Sequence, residues 1–141
     1  MSEVHAGVET PVNPTEDPDK VSRAVRNLFP LLSFAIVNLD ARRSKLQGSM
    51  NGLEGLENLK RILREEAIRD AAHKILWGNI SGSSIVAYLN KQAAFAGKAS
   101  FCERYDESPL GPITLTITAP NPEEVVEWLA PSSRRRQRSE K

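Results

Sequence analysis

Two segments of the chain alternate apolar and polar residues with a period of two. The segment ITLTITA, residues 113–119, places isoleucine and leucine on one face and three threonines on the other. The segment EVHAGVETPV, residues 3–12, alternates in the same way near the N-terminus. Successive side chains of a strand point to opposite faces, so each segment predicts a strand with one face in a core and one in water. We therefore expect a sheet that helices cover on one side only.

Helical patterns lie between these two strands and after the second one. Asp17 can cap a helix that has Pro18 at its first position, and Pro30 ends that helix. Asn121 can cap a last helix with Pro122 at its first position. Between them lies an amphipathic leucine-rich stretch, LEGLENLKRILREE, followed by a second helix or a kinked continuation, AIRDAAHKILWGNI.

Three further apolar runs predict strands, namely LSFAIVNL, SIVAYLN and KASFCER. The run SIVAYLN is the candidate for a central strand, because it is strongly apolar and rich in β-branched and aromatic residues. Residues 41–50, ARRSKLQGSM, predict either a basic loop or a further edge strand. Strands and helices do not alternate strictly, and short links join the later strands. This order predicts an α+β fold, a single domain over residues 1–130 with a mainly antiparallel sheet and helices packed on one face.

The charge of the chain is distributed unevenly. The net charge is +1, but residues 131–141 carry +4 and residues 1–130 carry −3. The C-terminal segment has no apolar side chain to anchor it, so we expect residues 131–141 to form a disordered Arg-rich tail. Its arginines suit phosphate through their bidentate fork, although a merely solubilising terminus is an equal alternative. They are Arg134, Arg135, Arg136 and Arg138.

Composition indicates in which compartment the protein functions and whether it associates with membranes. Apolar residues make up 40% of the chain, and no apolar run reaches the length of about 18 residues that a bilayer-spanning helix needs. The N-terminus lacks the basic start and apolar core of a secretory signal. The single cysteine cannot form an internal disulfide, which fits a reducing compartment. These features predict a cytoplasmic protein that does not associate with membranes.

The segment YLNKQAAFAGKASF, residues 88–101, ends like a phosphate-binding loop, with Gly97 followed by Lys98. That loop requires a glycine five positions before Gly97 and a hydroxyl directly after the lysine. Those positions hold Gln92 and Ala99. The segment therefore does not predict a nucleotide site, and no cofactor is predicted.

No set of residues predicts catalysis. Asp70 lies three residues before His73 on one predicted helix and could orient it as a base, but a helix-surface ion pair is the simpler interpretation. Cys102 is best interpreted as an inert strand residue. With two histidines far apart and one cysteine, the chain cannot assemble a zinc site. We expect the protein not to be an enzyme.

Three groups of basic residues in the body could contact phosphate, although each also fits an ordinary solvated face. The groups are Lys20, Arg23 and Arg26; Arg42, Arg43 and Lys45; and Lys60, Arg61 and Arg64. If several of them lie on one surface, they would form a footprint for a nucleic-acid backbone. The aromatic residues, 6% of the chain, do not form the signature of an RNA-recognition motif.

The segment YLNKQAAFAGKASF, together with the later ESPLGPI, resembles an archaeal family of uncharacterised proteins, family 0201, that are predicted to bind RNA. VNPTEDPDKVSRAVRNLFP resembles the first strand-helix unit of that family, and LENLKRILREEAIRDAAHKIL resembles its central helices. The final WLAP resembles its last helix. The resemblance covers about residues 3–131 and leaves out the basic tail. It implies a fold similar to that of the ribosomal protein that binds 5S rRNA.

The segment at residues 88–101 and the strand before it then have a structural interpretation. SIVAYLN forms a strand, and Asn90, Lys91 and Gln92 emerge at its end. Asn90 and Gln92 can bind phosphate or satisfy backbone groups of the loop, whereas Lys91 and Lys98 are the better candidates for phosphate contact. The leading hypothesis is a non-enzymatic domain that binds RNA or belongs to a ribonucleoprotein. The alternative is a protein-interaction subunit whose sheet edge or helix face docks a partner or a second copy, as a homodimer.

Overall fold

A computed structural model of the chain describes residues 3–102 and 110–132. It contains seven strands, five α-helices and one 3-10 turn within those residues. In chain order they are β1 His5–Val12, α1 Pro18–Leu28, β2 Ser33–Asn38, β3 Ser44–Asn51, the 3-10 turn Leu53–Leu56, α2 Glu57–Glu65, α3 Arg69–Gly78, β4 Ile80–Ser81, β5 Ser84–Leu89, α4 Lys91–Phe95, β6 Phe101–Cys102, β7 Ile113–Thr118 and α5 Pro122–Leu129.

The strands form one sheet in the order β2–β3–β1–β7–β5–β4, with β6 also paired to β5. Every pairing is antiparallel, which confirms the predicted α+β fold. The centre of the sheet is β1 and β7, whereas SIVAYLN, predicted to be central, forms β5 one place further out. The sequence predicts either a loop or an edge strand for residues 41–50. They contribute β3, an interior strand that pairs with β2 on one side and β1 on the other.

The helices pack on one face of the sheet, as the alternating segments predict. On that face Ala6 and Val8 of β1 lie opposite Ile117 and Leu115 of β7, and all four side chains are buried. The buried residues of the helices belong to the same continuous core. The threonines of β7 lie on the opposite face, where Thr118 is exposed.

In the described part of the chain, the predicted N-terminal cap is present at α1 but not at α5. At α1 the Asp17 carboxylate accepts a hydrogen bond from the Asp19 N–H at 2.9 Å, and Pro18 is the first helical residue. At α5, Pro122 is again first, but within the described residues the Asn121 side chain makes no capping bond. Two glutamates in the first turn of α5 complement the positive end of that helix instead.

One glycine allows β2 and β3 to approach closely. A Cβ atom at Gly48 would collide with the Ser33 carbonyl oxygen and come within 2.7 Å of the Phe34 Cβ. Real side chains do not tolerate such a contact without displacement of the neighbouring strand. Gly48 is therefore required for the packing of β2 against the rest of the sheet.

Two classes of feature are absent from the described part of the chain. No helix in residues 3–102 and 110–132 has the length and apolar character needed to cross a membrane. The same residues hold no group of three or more histidine, cysteine, aspartate or glutamate side chains placed to bind a metal ion. The tail predicted over residues 131–141 lies, from residue 133 onward, outside the described residues.

Candidate nucleic-acid interface

Side-chain hydrogen bonds join three helices of the covered face. The Asn58 side chain of α2 donates to the carbonyl oxygens of Asn27 (2.8 Å) and Leu28 (3.1 Å) at the end of α1. The Asn27 side chain of α1 in turn donates to the carbonyls of Ala94 (3.0 Å) and Phe95 (3.2 Å) in α4. These bonds satisfy carbonyls that a helix end leaves without an intrahelical partner. The helices α1, α2 and α4 therefore form one joined layer.

The exposed side chains of this layer are rich in basic residues, which we call the helix-layer cations. They are Lys20, Arg23 and Arg26 on α1, Arg61 and Arg64 on α2, and Lys98 after α4. The core-facing positions of α1 and α2 follow the 3.6-residue period, so Arg23, Arg61 and Arg64 point away from the core. Two of the three basic groups noted in the sequence are thus brought onto one layer.

Neighbouring groups hold Arg61 in place. Its Nη1 donates to the Glu65 carboxylate at 2.7 Å and its Nη2 donates to the Asn58 side-chain oxygen at 2.7 Å. The same Asn58 anchors α2 to α1, so the guanidinium is fixed close to the junction of the two helices. Within the described residues, Arg64 and Lys98 form no ion pair. The layer thus combines one oriented arginine with cations that are free to meet phosphate.

The segment at α4 divides into structural and exposed residues. The Asn90 side chain caps α4 by accepting a hydrogen bond from the Ala93 N–H at 2.8 Å. It therefore satisfies a backbone group, one of the two interpretations available from the sequence. Gln92 and Lys98 are exposed, and Gln92 lines a groove of about 330 Å³ between α4 and the first half of α1.

Lys91 does not fit the expectation that it contacts phosphate. Its side chain is buried, with only 4% of the residue exposed. The ammonium donates to the carbonyl oxygens of Pro11 (2.7 Å) and Leu110 (2.9 Å) and to the Glu16 carboxylate (3.0 Å). An ammonium has three donors, so all of them are used inside the protein. Lys91 is a structural residue that ties α4 to β1 and to the segment before β7.

The partner of Lys91 is held by further hydrogen bonds. The Asn13 side chain and backbone N–H donate to the Glu16 carboxylate at 2.7 and 3.0 Å, and the same side chain donates to the Leu110 carbonyl at 2.9 Å. Burial lowers the pKa of Lys91 from its ordinary value, and the Glu16 carboxylate opposes that shift. The network is polar, buried and satisfied, which is the condition for such a network to stabilise a fold.

The remaining basic group lies away from the helix layer. Arg42 and Arg43 are exposed in the turn between β2 and β3, where the Asp40 carboxylate accepts from both backbone N–H groups and from the Arg43 side chain. These hydrogen bonds, the Arg42 backbone bond first, lower the pKa of Asp40. Lys45 lies on the uncovered face of the sheet and pairs with Glu9 at 3.4 Å. The structure does not bring these three cations together with the helix-layer cations.

The uncovered face of the sheet is mostly polar and has few rings. The strands present small polar side chains there, such as Ser49 on β3 and Thr116 on β7, around an open depression that Gly7 and Gly48 help to line. Motifs that bind RNA on an open sheet stack bases on several exposed aromatic rings. The described residues offer no such set of rings on this face.

Two cation–ring contacts were not predicted from the sequence. The Lys60 ammonium lies 4.5 Å from the centre of the Trp128 ring on α5, and the Arg26 guanidinium lies 5.0 Å from the centre of the Phe34 ring on β2. Both contacts hold a basic side chain at the border of the helix layer. The residues are far apart in sequence, so no local pattern could have revealed them.

The histidine considered for catalysis has a structural contact. His73 forms a hydrogen bond through Nδ1 to the Ala130 carbonyl at 2.8 Å, and its ring stacks on Trp77 with centres 5.5 Å apart. The bond therefore satisfies the carbonyl at the end of α5, where the tail begins. Cys102 is buried in β6.

Comparisons with known proteins identify the family. A family model described as RNA binding matches residues 5–119. The UPF0201 protein of Sulfolobus acidocaldarius is 44% identical over 126 residues, which cover 89% of this chain and 86% of that protein. The UPF0201 protein of Thermococcus onnurineus is 40% identical over 127 residues, covering 90% of this chain and 91% of that protein.

The solved structures agree with the sequence matches. The crystal structure of the UPF0201 protein from Methanococcus jannaschii superposes with a TM-score of 0.82 at 29% identity, covering 90% of this chain and 99% of that chain. The resemblance noted from the sequence is confirmed. The chain therefore belongs to the UPF0201 family.

Proposed function

We propose that this domain binds RNA without catalysis, by contacting the phosphate backbone with the helix layer. The observation that carries the proposal is the set of exposed cations on α1, on α2 and just after α4, three helices that hydrogen bonds join into one layer. The match of residues 5–119 to a family model described as RNA binding supports the same ligand. The ribosomal-protein-like fold and the cytoplasmic location stay predictions.

The chemistry of the layer suits phosphate better than bases. A guanidinium donates two parallel hydrogen bonds to a phosphate, and Arg61 is already oriented by Asn58 and Glu65. Arg64 and Lys98 supply charge with no competing ion pair among the described residues. Because the described residues offer few exposed rings for stacking, we expect weak preference for sequence and a steep dependence of affinity on salt.

The tail would add affinity without adding specificity. It begins directly after α5, and the hydrogen bond from His73 to Ala130 fixes its starting point on the molecule. The four tail arginines lie outside the described residues, so they act in this proposal only through their charge. In the same way, Arg42, Arg43 and Lys45 would form a separate, weaker contact at the hairpin end.

The experiment is a binding titration of a structured RNA by fluorescence anisotropy across a salt series. The full chain is compared with a truncation that ends at Ala130, the last residue of the buried core. We expect the truncation to bind, with a salt slope that reports about three or more phosphate contacts. If binding disappears with the tail, the proposal that the domain binds RNA is wrong.

A further inference from the structure

The outer edge of β2 is unusually apolar for a sheet edge. In the part of the chain that the structure describes, β2 pairs with β3 on one side and with no strand on the other. Five large apolar side chains are exposed in those residues, and three of them lie in or beside β2: Leu31 (65%), Ile36 (40%) and Leu39 (53%). The exposed apolar surface is therefore concentrated at this edge.

The β2 edge also lacks the features that usually keep an edge strand from pairing with a strand of another molecule. Edge strands are usually protected by charged side chains, proline, bulges or short length. Residues 31–39, LLSFAIVNL, contain no charged residue and no proline. The strand pairs with β3 through six consecutive residues without a bulge. Among the described residues no strand pairs with the outward backbone N–H and C=O groups of β2, so a further strand can pair there.

We propose that β2 pairs antiparallel with β2 of a second copy of this chain, so that two sheets become one. Residues that face each other in an antiparallel pair must point to the same side of the sheet. A symmetric pairing therefore places one residue on the two-fold axis, and the two registers that overlap β2 most fully place Ala35 or Ile36 there, because these are its two central residues. An uncharged strand meets no like-charge repulsion when it pairs with itself.

The pattern of exposed side chains selects the register. With Ala35 on the axis, Phe34 lies opposite the partner's Ile36, and Leu31, in the turn that precedes β2, lies at the end of the seam beside the partner's Leu39. All three exposed apolar side chains of the edge then face apolar partners. With Ile36 on the axis, Phe34 would face the partner's Asn38, and the two leucines would face Ser33 and Ala41. Of these two registers, the one centred on Ala35 is therefore the more self-complementary.

The register fixes the shape of the dimer. The two-fold axis of such a pair is perpendicular to the sheet, so the covered faces of both copies lie on the same side. The two helix layers would then flank the seam, with Arg26 and Phe34 beside it. The dimer does not depend on RNA binding, but it would present two sets of helix-layer cations to one polyanion.

The test combines sedimentation velocity with disulfide crosslinking of the full chain. We expect a concentration-dependent dimer that Ile36→Lys converts to a monomer, whereas the control Phe95→Lys, at a side chain that is 44% exposed on α4, leaves it intact. A monomer at all concentrations, or a dimer that Ile36→Lys leaves unchanged, would overturn the proposal.

Crosslinking reports on the register without a charged substitution. The two copies of residue 35 would lie about 5 Å apart, within disulfide range, so Ala35→Cys should crosslink under mild oxidation. The two copies of residue 37 would be offset by about 13 Å along the strands, so the control Val37→Cys should not. Equal crosslinking of the two variants, or crosslinking of wild type through buried Cys102, would contradict the register. Neither result bears on RNA binding, which the salt titration decides separately.

Discussion

Replacement of Lys91 by methionine tests whether that residue is structural. The variant removes a buried ammonium whose three donors are bound to Pro11, Glu16 and Leu110. Removing one partner of a buried ion pair typically costs about 3–5 kcal/mol, because the other charge remains buried without compensation. The side chains of Lys91 and Glu16 are only 6% and 10% exposed, so water would hydrate the remaining carboxylate only slightly.

The expected cost lies near the lower end of that range. Glu16 keeps two hydrogen bonds from Asn13 after the substitution, and these continue to stabilise its carboxylate. We therefore expect the free energy of unfolding to fall by about 3 kcal/mol. This loss corresponds to a fall in Tm of about 10 °C for a domain of this size.

Urea unfolding followed by circular dichroism measures the loss. The matched control is Lys98→Met, the same substitution at an exposed lysine nearby, which should change stability by less than about 0.5 kcal/mol. The double variant Glu16→Gln with Lys91→Met should recover part of the loss, because the buried charge is removed as well. A Lys91→Met variant as stable as the control would refute the structural role and return Lys91 to the candidates for phosphate contact.

Two further predictions follow from the same structure. Gly48→Ala forces a Cβ against Ser33 and Phe34, so it should lower the free energy of unfolding by about 1–3 kcal/mol in urea unfolding; an unchanged midpoint would show that β2 shifts freely. Burial lowers the pKa of Lys91 below 10.5, so the unfolded chain binds more protons there between the two pKa values. The stability of wild type relative to Lys91→Met should therefore rise with pH in that alkaline window and stay constant at lower pH, as urea unfolding at several pH values would show.

Much of the fold could be predicted because it rests on local patterns. The period-two segments at β1 and β7 predict both the strands and the face that the helices cover, and Asp17 with Pro18 marks the start of α1. The prediction for β3 stayed ambiguous because Gly48 and its polar neighbours weaken the apolar signal of a strand. The apolar run of SIVAYLN predicts burial correctly, but it carries no information on the order of strands in the sheet.

The candidate site was harder to predict because it depends on distant contacts. Lys91 and Glu16 are 75 residues apart in sequence, and nothing near Lys91 indicates a buried partner. Asn27 and Asn58 join three helices through backbone carbonyls, which leave no trace in composition. The sequence also does not indicate that the β2 edge is exposed, because LSFAIVNL has the composition of a buried strand. In each case the sequence shows the chemistry of the side chain but not the residues that it contacts in the fold.

The most direct test of the helix-layer proposal is a comparison of two charge-reversal variants of the body that ends at Ala130. Arg61→Glu with Arg64→Glu alters the helix layer, and Arg42→Glu with Arg43→Glu makes the same change in net charge at the β2–β3 turn. In each pair, one arginine is ion-paired in the wild type, to Glu65 or Asp40.

The quantity to measure is the slope of the logarithm of RNA affinity against the logarithm of salt concentration. We predict that the helix-layer variant loses about 1.5 units of slope, as expected for two lost phosphate contacts, while the turn variant, which alters only the weaker contact, loses clearly less. Equal losses in both variants, or a larger loss in the turn variant, would contradict the proposal that the helix layer binds RNA.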